Sequence, residues 1–216
     1  NVIAIPYYIS FCSYCFLLTF FTTACPQIFS LIEKDVLSFT KTEIVFIGNL
    51  LIVGALAGFV LGGRMVDKLG TKYVFMFCHF GFGAIIISFL LRSLLPGKII
   101  VIVGILTLLF GLVQAASGIA MTSETLVLIP KENKSLAIGL WLTLINAGAG
   151  LSGIISSTAL ELNLINPEWS LFGLQMNSYD GLLLMFGTMV LLMTVTLGLI
   201  PSMIKKTPAA WIPQST

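Results

Sequence analysis

Three short patterns in this sequence contain residue types that could do chemistry. In segment 63–72, GRMVDKLGTK, Asp67 stands among basic residues, so its carboxylate could form and break ion pairs. Ser152 lies in Gly-Leu-Ser-Gly and could serve as a nucleophile if a base were near. Cys12 and Cys15 have the Cys-x-x-Cys spacing of a redox dithiol.

The serine pattern resembles that of intramembrane serine proteases, which also have a six-helix core. Such proteases carry the general base on the sixth helix, but the sixth apolar run, 179–200, contains no histidine. The only histidine of the chain is His79, on a different run. A nucleophile needs its base within hydrogen-bond reach, so we expect no enzymatic activity.

The cysteines favour packing over redox chemistry. Cys12 and Cys15 lie within an apolar run without a basic or metal-ligating neighbour that would stabilise a thiolate. Cys25 and Cys78 are isolated in the sequence and do not form a disulfide pattern. We therefore expect neither a metal site nor a cofactor.

The elements that position these residues are predicted from composition. The chain is 57% hydrophobic and 9% charged, with a mean hydropathy of +1.05, so it has too few polar groups to cover a water-soluble globule. A membrane-spanning helix needs about 20 apolar residues, and continuous runs exclude a β-barrel. The sequence predicts an all-α polytopic membrane protein, one six-helix bundle over 1–216. Its spans are near 5–29, 44–61, 73–91, 99–121, 136–160 and 179–200.

Lys and Arg concentrate on the cytoplasmic side of short membrane loops, which predicts the orientation. On one side of the predicted bundle lie Arg64, Lys68, Lys72, Lys131, Lys134, Lys205 and Lys206. On the other lie Lys34, Lys41, Arg92 and Lys98. We therefore expect a multi-pass protein of the cell membrane with both termini in the cytoplasm. The net charge of +2 is small, so lipid, not nucleic acid, is the expected partner of the cations.

The charged segment resembles the loop motif of the major facilitator superfamily, Gly-x-x-x-Asp-(Arg/Lys)-x-Gly-Arg-(Arg/Lys), and lies after the second span as in that family. The matching residues are Gly63, Asp67, Lys68, Gly70 and Lys72, with Arg64 as a further cation. The resemblance implies one six-helix half of a transporter in which this loop latches the outward-open state. The other half, or less favourably a second copy, would be a partner.

Thr71 departs from the motif, because the family usually has arginine there and a threonine lacks its bidentate fork. The resemblance places Glu124, at the cytoplasmic end of the fourth span, as the acidic partner of this loop. We therefore expect Glu124 to pair with Arg64 or Lys72. The fourth span lacks an intramembrane arginine and the fifth lacks a Gly-Pro pair, which favours the carboxy-terminal half. The chain starts at Asn1, which suggests a fragment.

Polar residues within the spans are few, and lipid offers them no partners. By analogy with the family, Tyr14, Gln114 and Asn146 are candidates for the substrate path, with interhelical hydrogen bonding as the alternative. His79 is expected to be structural. Two stripes of small residues could border the cavity or pack the bundle. They are Gly54, Gly58 and Gly62 on the second span, and Gly139, Thr143, Asn146, Gly150, Gly153 and Ser157 on the fifth.

The function expected from the resemblance is secondary active transport of a small solute by alternating access. A non-transporting membrane scaffold, such as a sensor or an assembly partner, is the alternative, since one fold can carry several functions.

Overall fold

The computed structural model describes residues 6–95, 97–129, 132–171 and 173–199, with side chains described up to residue 195. The helices are α1 (Pro6–Thr23), α2 (Cys25–Leu31), α3 (Lys41–Leu69), α4 (Thr71–Leu90), α5 (Ile99–Leu128), α6 (Lys134–Glu161) and α7 (Ser178–Leu199). A π-helical turn, Ile32–Val36, continues α2. Two short strands, β1 (Trp169–Leu171) and β2 (Leu174–Met176), pair antiparallel before α7.

The described residues contain six helices long and apolar enough to cross a membrane. The predicted all-α membrane fold is therefore confirmed. The first span, Pro6–Val36, includes α1, α2 and the π-helical turn. The hairpin β1–β2 was not predicted, because three-residue strands are too short to show an alternating pattern.

Local signals explain where α3 begins and ends. Its N-terminus has a capping box, in which the Thr40 hydroxyl accepts from the Glu43 N–H and the Glu43 carboxylate accepts from the Thr40 N–H. Gly70 directly follows the last residue of the helix, and its φ of 84° is reached readily only by glycine. The helix continues to Leu69, beyond the predicted end at residue 61. Asp67 and Lys68 therefore lie in the last turn of a helix and not in a loop.

The spanning helices form two groups of three with related packing. The first group is α1, α3 and α4, and the second is α5, α6 and α7. α3 packs on α5 and α6 packs on α1, while α4 contacts both α5 and α7, and α7 contacts α1. Exchanging α1 with α5, α3 with α6 and α4 with α7 leaves this set of pairings unchanged. Because each group contains three spans, the two groups have opposite orientations in the membrane. Inverted repeats of this kind occur in many transporter folds.

The core lies between α1, α2, α4, α5 and α7, and aromatic rings fill much of it. Phe29 stacks on Phe89 with ring centroids 4.1 Å apart, and Phe110 meets Phe29 edge-on. These rings are buried. α3 and α6 flank this core and bury a much smaller share of their residues than α4 or α5 does.

The glycine stripe of α3 serves packing within the bundle. A Cβ added at Gly58 would meet the backbone of Leu112, and one added at Gly62 would meet Ala116, both on α5. Gly111 of α5 lies equally close to the backbone of Leu51 on α3. Small residues allow such close approach in lipid, where packing replaces the hydrophobic effect as the driving force.

Candidate functional site

At the end of the bundle that carries the charged segment, one side chain of that segment joins α4 to α5. We call it the inner end, because the sequence predicts that it faces the cytoplasm. The Thr71 hydroxyl donates a 2.5 Å hydrogen bond to Oε2 of Glu124, and both residues are buried. Thr71 is the first residue of α4, directly after the Gly70 bend. Glu124 therefore contacts the predicted motif, but through the residue that departs from it.

The pairing expected between Glu124 and Arg64 or Lys72 is wrong for this structure. Among the described residues, Glu124 has no ion pair within 4.0 Å, and neither has Asp67. Arg64, Asp67 and Lys68 are exposed on the last turns of α3. The physical reason is burial, because Glu124 is 0% exposed within the bundle whereas the charged residues at the end of α3 lie at the surface. The latch role of Asp67 stays a prediction.

Tyr14 is a core residue in this structure and does not face an open path. Its hydroxyl lies 2.9 Å from Nε2 of His79, and Nδ1 of His79 lies 2.6 Å from the carbonyl oxygen of Phe75. Because the carbonyl can only accept, Nδ1 carries the proton and Nε2 accepts from the tyrosine hydroxyl. Tyr14 and His79 are 5% and 0% exposed. The expectation that Tyr14 lines a substrate path is therefore not met, and interhelical bonding explains it.

We expect Tyr14→Phe to destabilise the bundle by about 1–3 kcal/mol, because it leaves Nε2 of His79 buried without a donor. Thermal unfolding of the purified protein in detergent should show a lower midpoint. Tyr73→Phe is the matched control, since Tyr73 is 56% exposed on α4. Equal midpoints for the two variants would contradict the assigned hydrogen bond.

The other two path candidates have different surroundings. Gln114 is half-buried on α5. Asn146 is exposed on α6, where its Nδ2 donates to the carbonyl oxygen of Leu142 at 2.7 Å. Its Oδ1 accepts no hydrogen bond from a described residue. Asn146 is the thirteenth residue of α6, about 18 Å along a helix of about 42 Å, so it lies near mid-membrane.

The predicted small-residue stripe of α6 is exposed along its whole length. We call this set the α6 face, and its members are Gly139, Thr143, Asn146, Gly150, Gly153 and Ser157. Atoms added as Cβ at Gly139, Gly150 or Gly153 would meet nothing within 4 Å. A different side of α6 packs on α1, where a Cβ at Gly148 would meet the backbone of Phe16.

The serine of the Gly-Leu-Ser-Gly pattern and the cysteines of the Cys-x-x-Cys pattern are buried. Ser152 is 0% exposed, and its hydroxyl has no hydrogen-bond partner among the described residues. Both nitrogens of His79 are engaged with Phe75 and Tyr14, so they offer Ser152 no base. Cys12 and Cys15 are buried free thiols.

Sequence reasoning missed a buried ion pair at the other end of the bundle. Nη1 of Arg92, just after α4, lies 2.7 Å from Oδ1 of Asp180, in the first turn of α7. Arg92 also donates to the carbonyl oxygen of Phe89 at 3.0 Å. The signal was present, because the third and sixth spans place both residues at the same membrane surface. From the sequence alone, Arg92 is only one of the cations that predict the orientation.

Comparison with known proteins corrects the resemblance to the major facilitator superfamily. A family model described as PUCC protein matches residues 32–207, whereas no model of the major facilitator superfamily matches. No curated protein matches the chain. Cytoplasmic loops of membrane proteins are commonly rich in lysine and arginine in any fold, so the cations of this segment do not identify the superfamily, and Thr71 departs from its motif. The match covers most of the sequence, so this chain belongs to the PUCC protein family.

Proposed function

We propose that this protein assists the formation of photosynthetic complexes in the membrane and holds a transmembrane helix of such a complex against the α6 face. The PUCC family is described as membrane proteins associated with bacteriochlorophyll and photosynthetic complexes. Assistance of this kind is a form of the non-transporting assembly role that the sequence left open.

The observation that carries this proposal is the composition of the α6 face. Contact with lipid alone does not require a row of glycine and hydroxyl residues on a helix. The exposed side of α3, by contrast, is covered by bulky apolar side chains. Those of α3 include Val45, Phe46, Ile52, Val53, Leu56, Phe59 and Val60. Small residues at steps of three and four are typical of helix–helix contacts within membranes.

The hydrogen bonds of the α6 face agree with a helical partner. The Thr143 hydroxyl donates to the carbonyl oxygen of Gly139 at 2.8 Å, and the Ser157 hydroxyl donates to that of Ile154 at 3.0 Å. Both hydroxyl groups therefore have a hydrogen-bond partner within α6. Oδ1 of Asn146 accepts nothing within the described residues and is free to accept from a partner. A polar atom in this position gains a hydrogen bond across helices that lipid cannot supply.

Gly150→Leu should abolish association with the partner while the protein still folds. The new side chain fills the groove that a partner helix would enter, but it meets no atom of this chain at Cβ. The measurement is co-purification of photosynthetic-complex subunits and bacteriochlorophyll with the tagged full-length protein from a photosynthetic host. We expect at least a tenfold loss, equivalent to about 1.4 kcal/mol or more of binding free energy.

Ala84→Leu is the matched control, because Ala84 is exposed on α4, outside the α6 face. It adds the same kind of bulk to another membrane-facing surface and should leave co-purification unchanged. Equal recovery of partner by Gly150→Leu and Ala84→Leu would contradict a role for the α6 face.

A second candidate function is solute transport by alternating access, and the inverted three-helix packing favours it. In such carriers one repeat unit rocks against another around a site near mid-membrane. Asn146 and the half-buried Gln114 are the polar groups available for a solute. A second six-helix unit, from the same protein or from a second copy, would then close over the exposed sides of α3 and α6.

For this second function, Asp67→Asn should slow transport without preventing membrane insertion. Asparagine keeps the shape of the side chain but removes the charge that would be attracted to a helix N-terminus. Uptake into vesicles reconstituted with the complete protein tests it, with Asp35→Asn, at the opposite end of the bundle, as control. Solute uptake that Asp67→Asn leaves at the wild-type rate would count against the latch.

A further inference from the structure

The carboxyl group of Glu124 is buried and forms no ion pair with a described residue. Glu124 is 0% exposed, near the inner end of α5. Its Oε2 accepts the Thr71 hydroxyl at 2.5 Å, while its Oε1 is buried and has no hydrogen-bond partner among the described residues. A carboxylate is stable in such a place only when cations or several donors surround it.

The groups around Glu124 do not supply that compensation. From α4 the neighbour is the neutral hydroxyl of Thr71, and from α1 the nearby group is the buried free thiol of Cys15. From α6, Trp141 contributes a neutral indole, whose buried Nε1 has no hydrogen-bond partner among the described residues. On α3, Arg64, Asp67 and Lys68 are exposed, and within the described residues no cation lies within 4.0 Å of Glu124, Lys72 of α4 included.

We propose that Glu124 is a proton-binding site, occupied by a proton in this conformation, and that its proton is coupled to the bend between α3 and α4 through Thr71. The neutral acid retains Oε2 as the acceptor of the Thr71 hydroxyl and places the proton on Oε1. The proposal goes beyond the assembly role, because it assigns a ligand to a buried site that is not part of the α6 face.

The coupling follows from the position of Thr71. It is the first residue of α4 and directly follows Gly70, the bend at the end of α3. Release of the proton would leave a buried anion with one donor, which is relieved if the inner end opens and admits water or a motif cation. Binding of the proton therefore favours the closed inner end, and its loss favours separation of the bend from α5.

Infrared spectroscopy of the purified full-length protein tests both the proton on Glu124 and its link to Thr71. A protonated carboxyl group has a C=O stretch distinct from that of a carboxylate. At neutral pH, subtracting the spectrum of Glu124→Gln from that of the wild type should reveal one such band. Glu132→Gln is the matched control, because Glu132 is exposed after α5 at the same end of the bundle, and its difference spectrum should lack the band.

Thr71→Val and Thr71→Ser test the coupling. Valine has the shape of threonine without the donor, so the Glu124 band should shift to higher frequency, while serine retains the hydroxyl and should keep the wild-type position. A wild-type protein without a Glu124 band would overturn the proton site. A band that Thr71→Val leaves in place would overturn the coupling. Neither readout depends on partner binding or uptake, so failure here is distinct from failure of the proposed function.

Discussion

Replacing Gly58 by leucine should prevent the protein from folding into a stable bundle. A Cβ added at Gly58 would lie 2.9 Å from the Cβ of Ala115 and still closer to the carbonyl oxygen of Leu112. The obstacle is backbone on the facing helix, so a change of side-chain rotamer cannot relieve it. The pair α3–α5 would have to separate, which should cost about 3 kcal/mol or more.

Fluorescence-detected size exclusion of membrane extracts measures this loss as the fraction of monodisperse protein. Gly48→Leu is the matched control, since Gly48 lies on the same helix and a Cβ there meets nothing within 4 Å. Gly111→Leu, from the α5 side, should fail like Gly58→Leu, because Gly111 faces the backbone of Leu51. Similar yields of Gly58→Leu and Gly48→Leu would show that these helices do not approach so closely.

Arg92→Ala should destabilise the end of the bundle opposite to Glu124 by about 3–5 kcal/mol, the usual cost of leaving one charge of a buried pair alone. Asp180 is 0% exposed and would lose its cation, although the backbone N–H of Asn177 still donates to it at 3.2 Å. α7 would lose its polar attachment to the end of α4. Thermal unfolding in detergent should show the shift. Asp180→Asn should show a smaller one, since the amide oxygen can still accept from Arg92, which also keeps its bond to the carbonyl oxygen of Phe89.

Two comparisons separate this charge effect from a loss of contact area. Lys34→Ala removes the cation of the exposed pair Lys34–Asp35, and exposed pairs contribute only about 0–1 kcal/mol. The double variant Arg92→Met, Asp180→Leu leaves no buried charge and should recover much of the stability. A double variant less stable than Arg92→Ala alone would contradict the interpretation.

Much of the fold could be predicted because the membrane imposes it locally. Each span needs about 20 apolar residues with all backbone groups bonded within one helix, so hydropathy alone located six spans. Capping at Thr40 and the bend at Gly70 are equally local, since each depends on residues within one turn. The long extension of α3 to Leu69 was harder, because charged residues can continue a helix beyond the hydrocarbon.

The functional residues were harder to assign, because their roles depend on which helices meet. Tyr14 and Asn146 are both polar residues within spans, and nothing local tells that one bonds to His79 in the core while the other is exposed. Glu124 bonds to Thr71 and not to the cation expected from the sequence, because its partner depends on where the N-terminus of α4 lies.

Composition and periodicity thus determined the membrane class, the number of spans and the two rows of small residues. Only the tertiary structure decided that the row on α3 packs against α5 while the row on α6 stays exposed. The pairing of Arg92 with Asp180 is likewise visible only in the tertiary structure. The reason is physical: apolar length is a property of each segment, whereas the burial of a glycine or a charge is a property of the helix that packs against it.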